Sequence, residues 1–329
     1  MAAWPTAGEG WSGDKIRESW RRKNRFFNLF GYSIALQRCY TQAMLSPSAP
    51  TFLSIPMDIL DEVTEQSYFK KPIVYQSGVD KQSITHLCKL LSKVKKGKIA
   101  FIVDYEAGSL DKNDQIGAVA KHFGADLYAS PYHVHPVLNP LSDQYTRILP
   151  PLSGEIHDIL SQYKKIVVFG AKIDTFLYTG KPALPAHVRL IQIGSPEHLA
   201  FDYPCDMVIS SDVQSTLSAI MEELGIVAPI YQLPSSKLVG ETLMQEIGSS
   251  NVFAPMIVKI LESIDKSTSL VTEGSSEDAV IQKAAAKFGF PNVYFSPRGG
   301  GLGWGMPLAT GISLAMSKHS LCFVGDGGL

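Results

Sequence analysis

The chain's 329 residues suffice for two domains, or two and a part, and 45% hydrophobic with 19% charged residues is ordinary for a globular α/β protein. A net charge of −1 gives no global attraction to nucleic acid or an anionic membrane, and no apolar run reaches the ~18–20 residues that span a bilayer. Cys39, Cys88, Cys205 and Cys322 form no Cys-x-x-Cys pair, which argues against a structural zinc site and a disulfide framework and fits a reducing cytosol.

Met1 to Trp20 has no apolar core followed by a small-residue cleavage site, so a secretory signal is not expected and a cytoplasmic location is. The basic run Arg21-Arg22-Lys23-Asn24-Arg25 reads as a solvated face, because no aromatic or glycine pattern interleaves with it. From Ser33 to Met44 apolar residues recur at three- and four-residue steps, which predicts a helix. Ser46 to Pro50 breaks it, Thr51 to Pro56 reads as a short buried strand, and Glu62 to Tyr75 as a polar linker.

A second unit starts near Ser77. Helices are predicted over Lys81–Leu91, Asp114–Phe123, Ile156–Gln162 and Val213–Leu224. Strands are predicted at Lys98–Val103, Asp126–Ala129, Ile166–Gly170, Val188–Gly194 and Met207–Ser210. Strands alternating with helices imply an α/β fold with a doubly wound parallel sheet. The pattern fades between Ile226 and Ser250, which reads as a second linker. A third unit follows: a helix Ala254–Ile264, a strand Ser269–Thr272, a helix from about Ser276, a glycine loop, a helix Met306–Met316 and a final apolar strand.

The chemistry concentrates in this third unit. Gly299-Gly300-Gly301-Leu302-Gly303-Trp304-Gly305-Met306-Pro307 feeds a helix, and the strand Leu321 to Val324 then delivers Gly325-Asp326-Gly327-Gly328. Glycines let a backbone approach a phosphate closely, and a helix N-terminus offers it N–H groups. An aspartate ending a strand is a hard oxygen ligand suited to Mg²⁺ shared with a diphosphate. Elsewhere, His133-Val134-His135 places two imidazoles on one side of an extended chain, but no third ligand has a suitable spacing, so a loop is the better reading than a metal site. Gly170 to Asp174 follows a strand without the Gly-x-Gly-x-x-Gly spacing of a dinucleotide site.

The combination of glycine loop, helix and Gly-Asp-Gly strand resembles the diphosphate-binding domain of thiamine-diphosphate-dependent enzymes, and the loop is most similar to the benzoylformate decarboxylase branch. Pro50 to Asp58 resembles the strand that closes that family's pyrimidine-binding domain, and Ser77 to Leu224 its central, nucleotide-binding-type domain. Val271-Thr272-Glu273-Gly274-Ser275-Ser276 is similar to the turn whose hydroxyl groups contact the cofactor diphosphate. The resemblance implies three domains: residues 1–72 as the end of the pyrimidine-binding domain, 73–240 as the central domain and 241–329 as the start of the diphosphate-binding domain.

It also implies roles. Asp326 would coordinate Mg²⁺. Gly325, Gly327 and Gly328 would admit the diphosphate, with Ser275 and Ser276 donating to it. In the loop of Gly301, Leu302 and Gly303, Leu302 would wedge under thiamine diphosphate and hold it bent. The implied activity is non-oxidative decarboxylation of a 2-oxo acid by a cytoplasmic homo-oligomer, a dimer or tetramer. Nothing upstream of Thr51 resembles the setting of the family's activating glutamate, and its asparagine pair would lie beyond Leu329. Val252-Phe253-Ala254-Pro255 stands where that branch has a histidine-bearing turn. No catalytic residue is therefore assigned, and the chain alone is expected to be inactive and to bind the cofactor weakly or not at all. Two other readings stay open: a non-catalytic fragment or paralogue serving as a binding or assembly module, and an acetolactate synthase-like carboligase with FAD.

Overall fold

Capped helices alternate with strands that are apolar on both faces, and this alternation builds the larger of two parallel sheets in the computed structural model of the chain. The structure describes residues 29–45, 51–61, 78–107, 114–131, 137–138, 142, 144–170, 173, 178–195, 204–229, 236–247, 252–273, 277–290, 292–294 and 301–328. The basic run, the 62–75 linker, the His133/His135 pair and the two serines 275 and 276 lie outside them. Two compact units divide after Gln76.

In the first unit, α1 spans Leu29–Met44 and the short α2 spans Met57–Leu60. The expected strand at Thr51–Pro56 is a correction: the segment has no β-ladder, and Phe52 is 90% exposed. A strand needs a neighbour to take its N–H and C=O groups, and the described residues of this unit form no sheet. The segment is held instead by Thr51 Oγ1, which donates to the Cys39 carbonyl at 3.1 Å.

The second unit holds six parallel strands: β1 (Ile99–Val103), β2 (Asp126–Ala129), β3 (Tyr145–Ile148), β4 (Lys165–Phe169), β5 (Arg189–Gly194) and β6 (Met207–Ser210), in the order β3-β2-β1-β4-β5-β6. The helices are α3 (Lys81–Ser92), α4 (Gln115–Phe123), α5 (Ser153–Leu160) and α6 (Val213–Leu224). Alternate residues of β1 serve opposite faces, as the period of two requires. Ile99, Phe101 and Val103 join a core with Leu87, Val119 and Leu217, while Ala100 and Ile102 join one with Ile156 and Leu160. That two-sided burial is why the strands read as continuous apolar runs. Asp80, Asp114 and Asp212 cap the N-termini of α3, α4 and α6, and left-handed Gly124 and Gly225 end α4 and α6.

Strand order reverses between β1 and β4, the point where open α/β sheets accept ligands. Here Glu106 lies across it. Its carboxylate accepts the Ser195 N–H at 2.9 Å and the Ser195 hydroxyl at 3.1 Å, and a Cβ on Gly170 (φ +60°) would stand 2.2 Å from its own Cβ.

Helix α7 (Ser236–Ile247) occupies part of the expected second linker, a further correction. Among its described side chains Val239 and Leu243, one helical turn apart, are buried and join the core of α8 and α9. Then come α8 (Ala254–Ser263), β7 (Ser269–Glu273), α9 (Asp278–Phe288), β8 (Val293–Tyr294), α10 (Gly305–Met316) and β9 (Ser320–Val324). The three strands form a second parallel sheet, β8-β7-β9.

Candidate functional site

The central strand β7 is buried along its whole length and sends alternate side chains to two sides. Leu270 packs into the core formed with α7, α8 and α9, and Val271 into a smaller one with Ala309 and Ile312 of α10. The last two residues follow the same alternation with polar groups. Thr272, fully buried, donates its hydroxyl to Asp278 in the first turn of α9. Glu273, 8% exposed, turns its carboxylate to the glycine loop, where Oε1 accepts the Gly303 N–H at 2.5 Å and Oε2 the Gly305 N–H at 2.6 Å. The end of β7 thus ties the entrances of two helices lying on opposite faces of the sheet.

Strand β9 runs parallel to β7 in a register that pairs Glu273 with Val324. The turn after β9 therefore lies at the same edge as the glycine loop. Gly325 leaves the strand, and Asp326–Gly328 form one turn of 3-10 helix in which the Gly327 N–H donates to Asp326 Oδ1 at 3.0 Å. Asp326 is exposed, and a Cβ added at Gly325 or Gly327 would meet nothing within 4 Å. Cys322 of β9 has its thiol pushed above its ordinary range by burial and then by the charge of Glu273.

The structure accordingly brings Gly301, Leu302 and Gly303 to the same sheet edge as Gly325, Asp326, Gly327 and Gly328. Gly303 is left-handed at φ +87°, and Leu302 before it is 78% exposed, held away from the core. One expectation is revised: the first N–H of α10 is not offered to a phosphate, because Glu273 already takes it. Glu273 is the residue that sequence reasoning passed over. Its signal was an acid closing an apolar strand just before a glycine. At the stretch compared with the histidine-bearing turn, Phe253 is the exposed N-cap residue of α8 and Ala254 is fully buried, so neither supplies a proton-transferring group.

Among the described residues no group of three or more His, Cys, Asp and Glu side chains is placed to hold a metal ion. A Mg²⁺ at Asp326 would take this carboxylate as one oxygen ligand beside phosphate oxygens and water, in keeping with its preference for few protein carboxylates next to a diphosphate. The exposed carboxylate and the open space over its flanking glycines fit that arrangement. Among the described residues no helix is long and apolar enough to cross a membrane.

No protein-family profile matches the chain. Over 300 residues it is 21% identical to the benzoylformate decarboxylase of Pseudomonas aeruginosa, covering 89% of this chain and 55% of that protein. Its fold is similar to that of a Mycobacterium smegmatis protein described as thiamin diphosphate-dependent, with a TM-score of 0.70 at 21% identity over 90% of this chain and 57% of that one. It is also similar to the benzoylformate decarboxylase of Polynucleobacter necessarius, with a TM-score of 0.69 at 18% identity over 89% and 55%. The chain spans about half the length of the curated relative it matches.

Proposed function

We propose, from a likeness to thiamine-diphosphate-dependent enzymes seen in both sequence and fold, that the whole protein decarboxylates a 2-oxo acid without oxidation, in the manner of benzoylformate decarboxylases. The single observation that carries this reading is the meeting, at one edge of a parallel sheet, of a glycine loop bearing an outward leucine and a Gly-Asp-Gly turn. Asp326 would hold Mg²⁺, and Gly325, Gly327 and Gly328 would leave room for the diphosphate, with Ser275 and Ser276 as its hydroxyl donors. Leu302, between Gly301 and Gly303, would support the cofactor from below. When bound, the cofactor supplies a thiazolium able to take up the electron pair released with CO₂. The chain's part in this is to bind and to orient the cofactor. We assign no proton-transferring residue.

The same reading makes 1–72, 73–240 and 241–329 the end of a pyrimidine-side domain, a central domain and the start of a diphosphate-side domain. It makes the protein a cytoplasmic homo-oligomer. A flavin-dependent carboligase is the weaker alternative, because the Glu106 side chain lies over Gly170 and Gly194 at the point of the central sheet where a nucleotide would approach.

The test is an NMR titration of the chain with thiamine diphosphate, with and without Mg²⁺. The amides of Gly325, Gly327 and Gly328 should shift only when both are present. Asp326→Ala should remove the response, and Asp326→Asn should weaken it in a way that excess Mg²⁺ partly restores, since a neutral amide keeps the oxygen and loses the charge. Shifts that ignore Mg²⁺, or that survive Asp326→Ala, would sink the metal reading.

A further inference from the structure

We propose that Glu273 is the positioning residue of the glycine loop: its carboxylate holds the two N–H groups on either side of Trp304 and so fixes the loop that presents Leu302. This rests on the reading of Leu302 given above and adds to it a residue with no part in binding the diphosphate. Three observations carry it. The carboxylate is nine-tenths buried, and each oxygen has its own loop donor, Gly303 N–H at 2.5 Å and Gly305 N–H at 2.6 Å. There is no slack on the helix side: a Cβ on Gly305 would stand 2.8 Å from Glu273 Oε2 and 3.2 Å from Cys322 Sγ. On the other side the chain turns at left-handed Gly303, and Leu302 projects with 78% of its surface exposed.

The physical logic is that of an anion at a helix N-terminus. A buried carboxylate facing the first N–H of α10 satisfies a donor that the helix itself cannot, and favours its own charge there. Because the second oxygen reaches back to Gly303, the same charge also sets the turn preceding the helix. Two donors 30 and 32 residues away in sequence are thereby locked to the end of β7, a strand with five buried residues. An exposed leucine on a glycine turn has little else to hold its backbone in place.

The experiment measures amide hydrogen exchange by NMR on the cofactor-free chain and then follows the Leu302 methyl groups during titration with thiamine diphosphate and Mg²⁺. In the native chain Gly303 and Gly305 should exchange slowly and Gly301 fast. Glu273→Gln, which keeps the shape and one acceptor oxygen, should accelerate one of the two amides about tenfold to a hundredfold, as expected for losing a hydrogen bond to a charged acceptor. Glu273→Asp should fall between the two. In Glu273→Gln the Leu302 methyl response should be lost while the Gly327 amide response persists, a split that general unfolding does not produce. Fast exchange at Gly303 and Gly305 in the native chain would overturn the clamp. Faster exchange in Glu273→Gln with an unchanged Leu302 response would overturn its positioning role. A slow, Glu273-dependent pair in a whole protein that shows no response to the cofactor anywhere would overturn the cofactor reading while the clamp stands.

Discussion

Gly170→Ala should be far more damaging than its small size implies, and a matched control separates the reasons. Gly170 has φ +60° and Gly225, which ends α6, has φ +63°, so the backbone penalty for an alanine is the same at both. That penalty is about 1 kcal/mol once the entropy an alanine removes from the unfolded chain is counted. The surroundings differ. Nothing lies within 4 Å of a Cβ on Gly225, whereas on Gly170 it would stand 2.2 Å from Glu106 Cβ and 3.1 Å from Glu106 Cα. Both obstructing atoms belong to the near end of Glu106, so a rotamer change does not clear them and the segment carrying Glu106 must shift. Its carboxylate accepts two hydrogen bonds from Ser195 in a buried setting. Loss of even one, at about 1.5–3 kcal/mol for a charged acceptor, brings the expected cost to about 2.5–4 kcal/mol. Urea unfolding followed by far-ultraviolet circular dichroism should show it: at a slope of about 3 kcal/mol/M the midpoint falls by about 1 M, against about 0.3 M for Gly225→Ala. Equal shifts in the two variants would refute the packing argument and leave only the backbone cost.

Three further expectations concern other parts of the molecule. Tyr163→Phe removes a buried hydroxyl that donates to Asp126 Oδ2 at 2.6 Å and lies 2.7 Å from the Tyr128 hydroxyl, and should lower stability by about 1–3 kcal/mol in thermal or urea unfolding. The cap at Asp80 accepts from the Ser83 hydroxyl and N–H, which hold its carboxyl below the usual range. Because the folded value is the lower one, the cap acts fully above the ordinary carboxylate range and is lost as pH falls through the folded value. Exchange of the first-turn amides of α3 should therefore rise at acid pH in the native chain and be independent of pH in Asp80→Ala, after correction for intrinsic rates. Leu302→Ala changes a side chain that is 78% exposed, so stability should move by less than about 0.5 kcal/mol. Under the proposed function, turnover of the whole protein should fall while the Mg²⁺ response at Gly327 stays; an equal loss of both would show that Leu302 is misassigned.

The sequence by itself determined the alternation of apolar runs and amphipathic helices, and with it the α/β class and the parallel sheet. A strand buried on two faces has no polar side, so β1 and β4 are legible as nearly continuous apolar segments. It also marked the candidate site, since a Gly-rich loop and a Gly-Asp-Gly turn are local patterns whose backbone needs are written in their own residues. Strand β3 and helix α7 were not among the expected elements. Strand β3, Tyr-Thr-Arg-Ile, has mixed polarity because it borders the sheet on one side only, and the four-residue step from Val239 to Leu243 in α7 was passed over within a stretch read as a linker. The reverse error occurred at Thr51–Pro56, where a strand-like run finds no partner in its unit's described residues to form a ladder. Only the tertiary structure decided what the buried carboxylates do. Glu106 and Glu273 are ordinary acids in sequence, and their partners stand 89 residues away for the one and 30 and 32 for the other. A charge so nearly buried persists only where folding brings donors to it from a distance, and no local pattern of residues records that meeting.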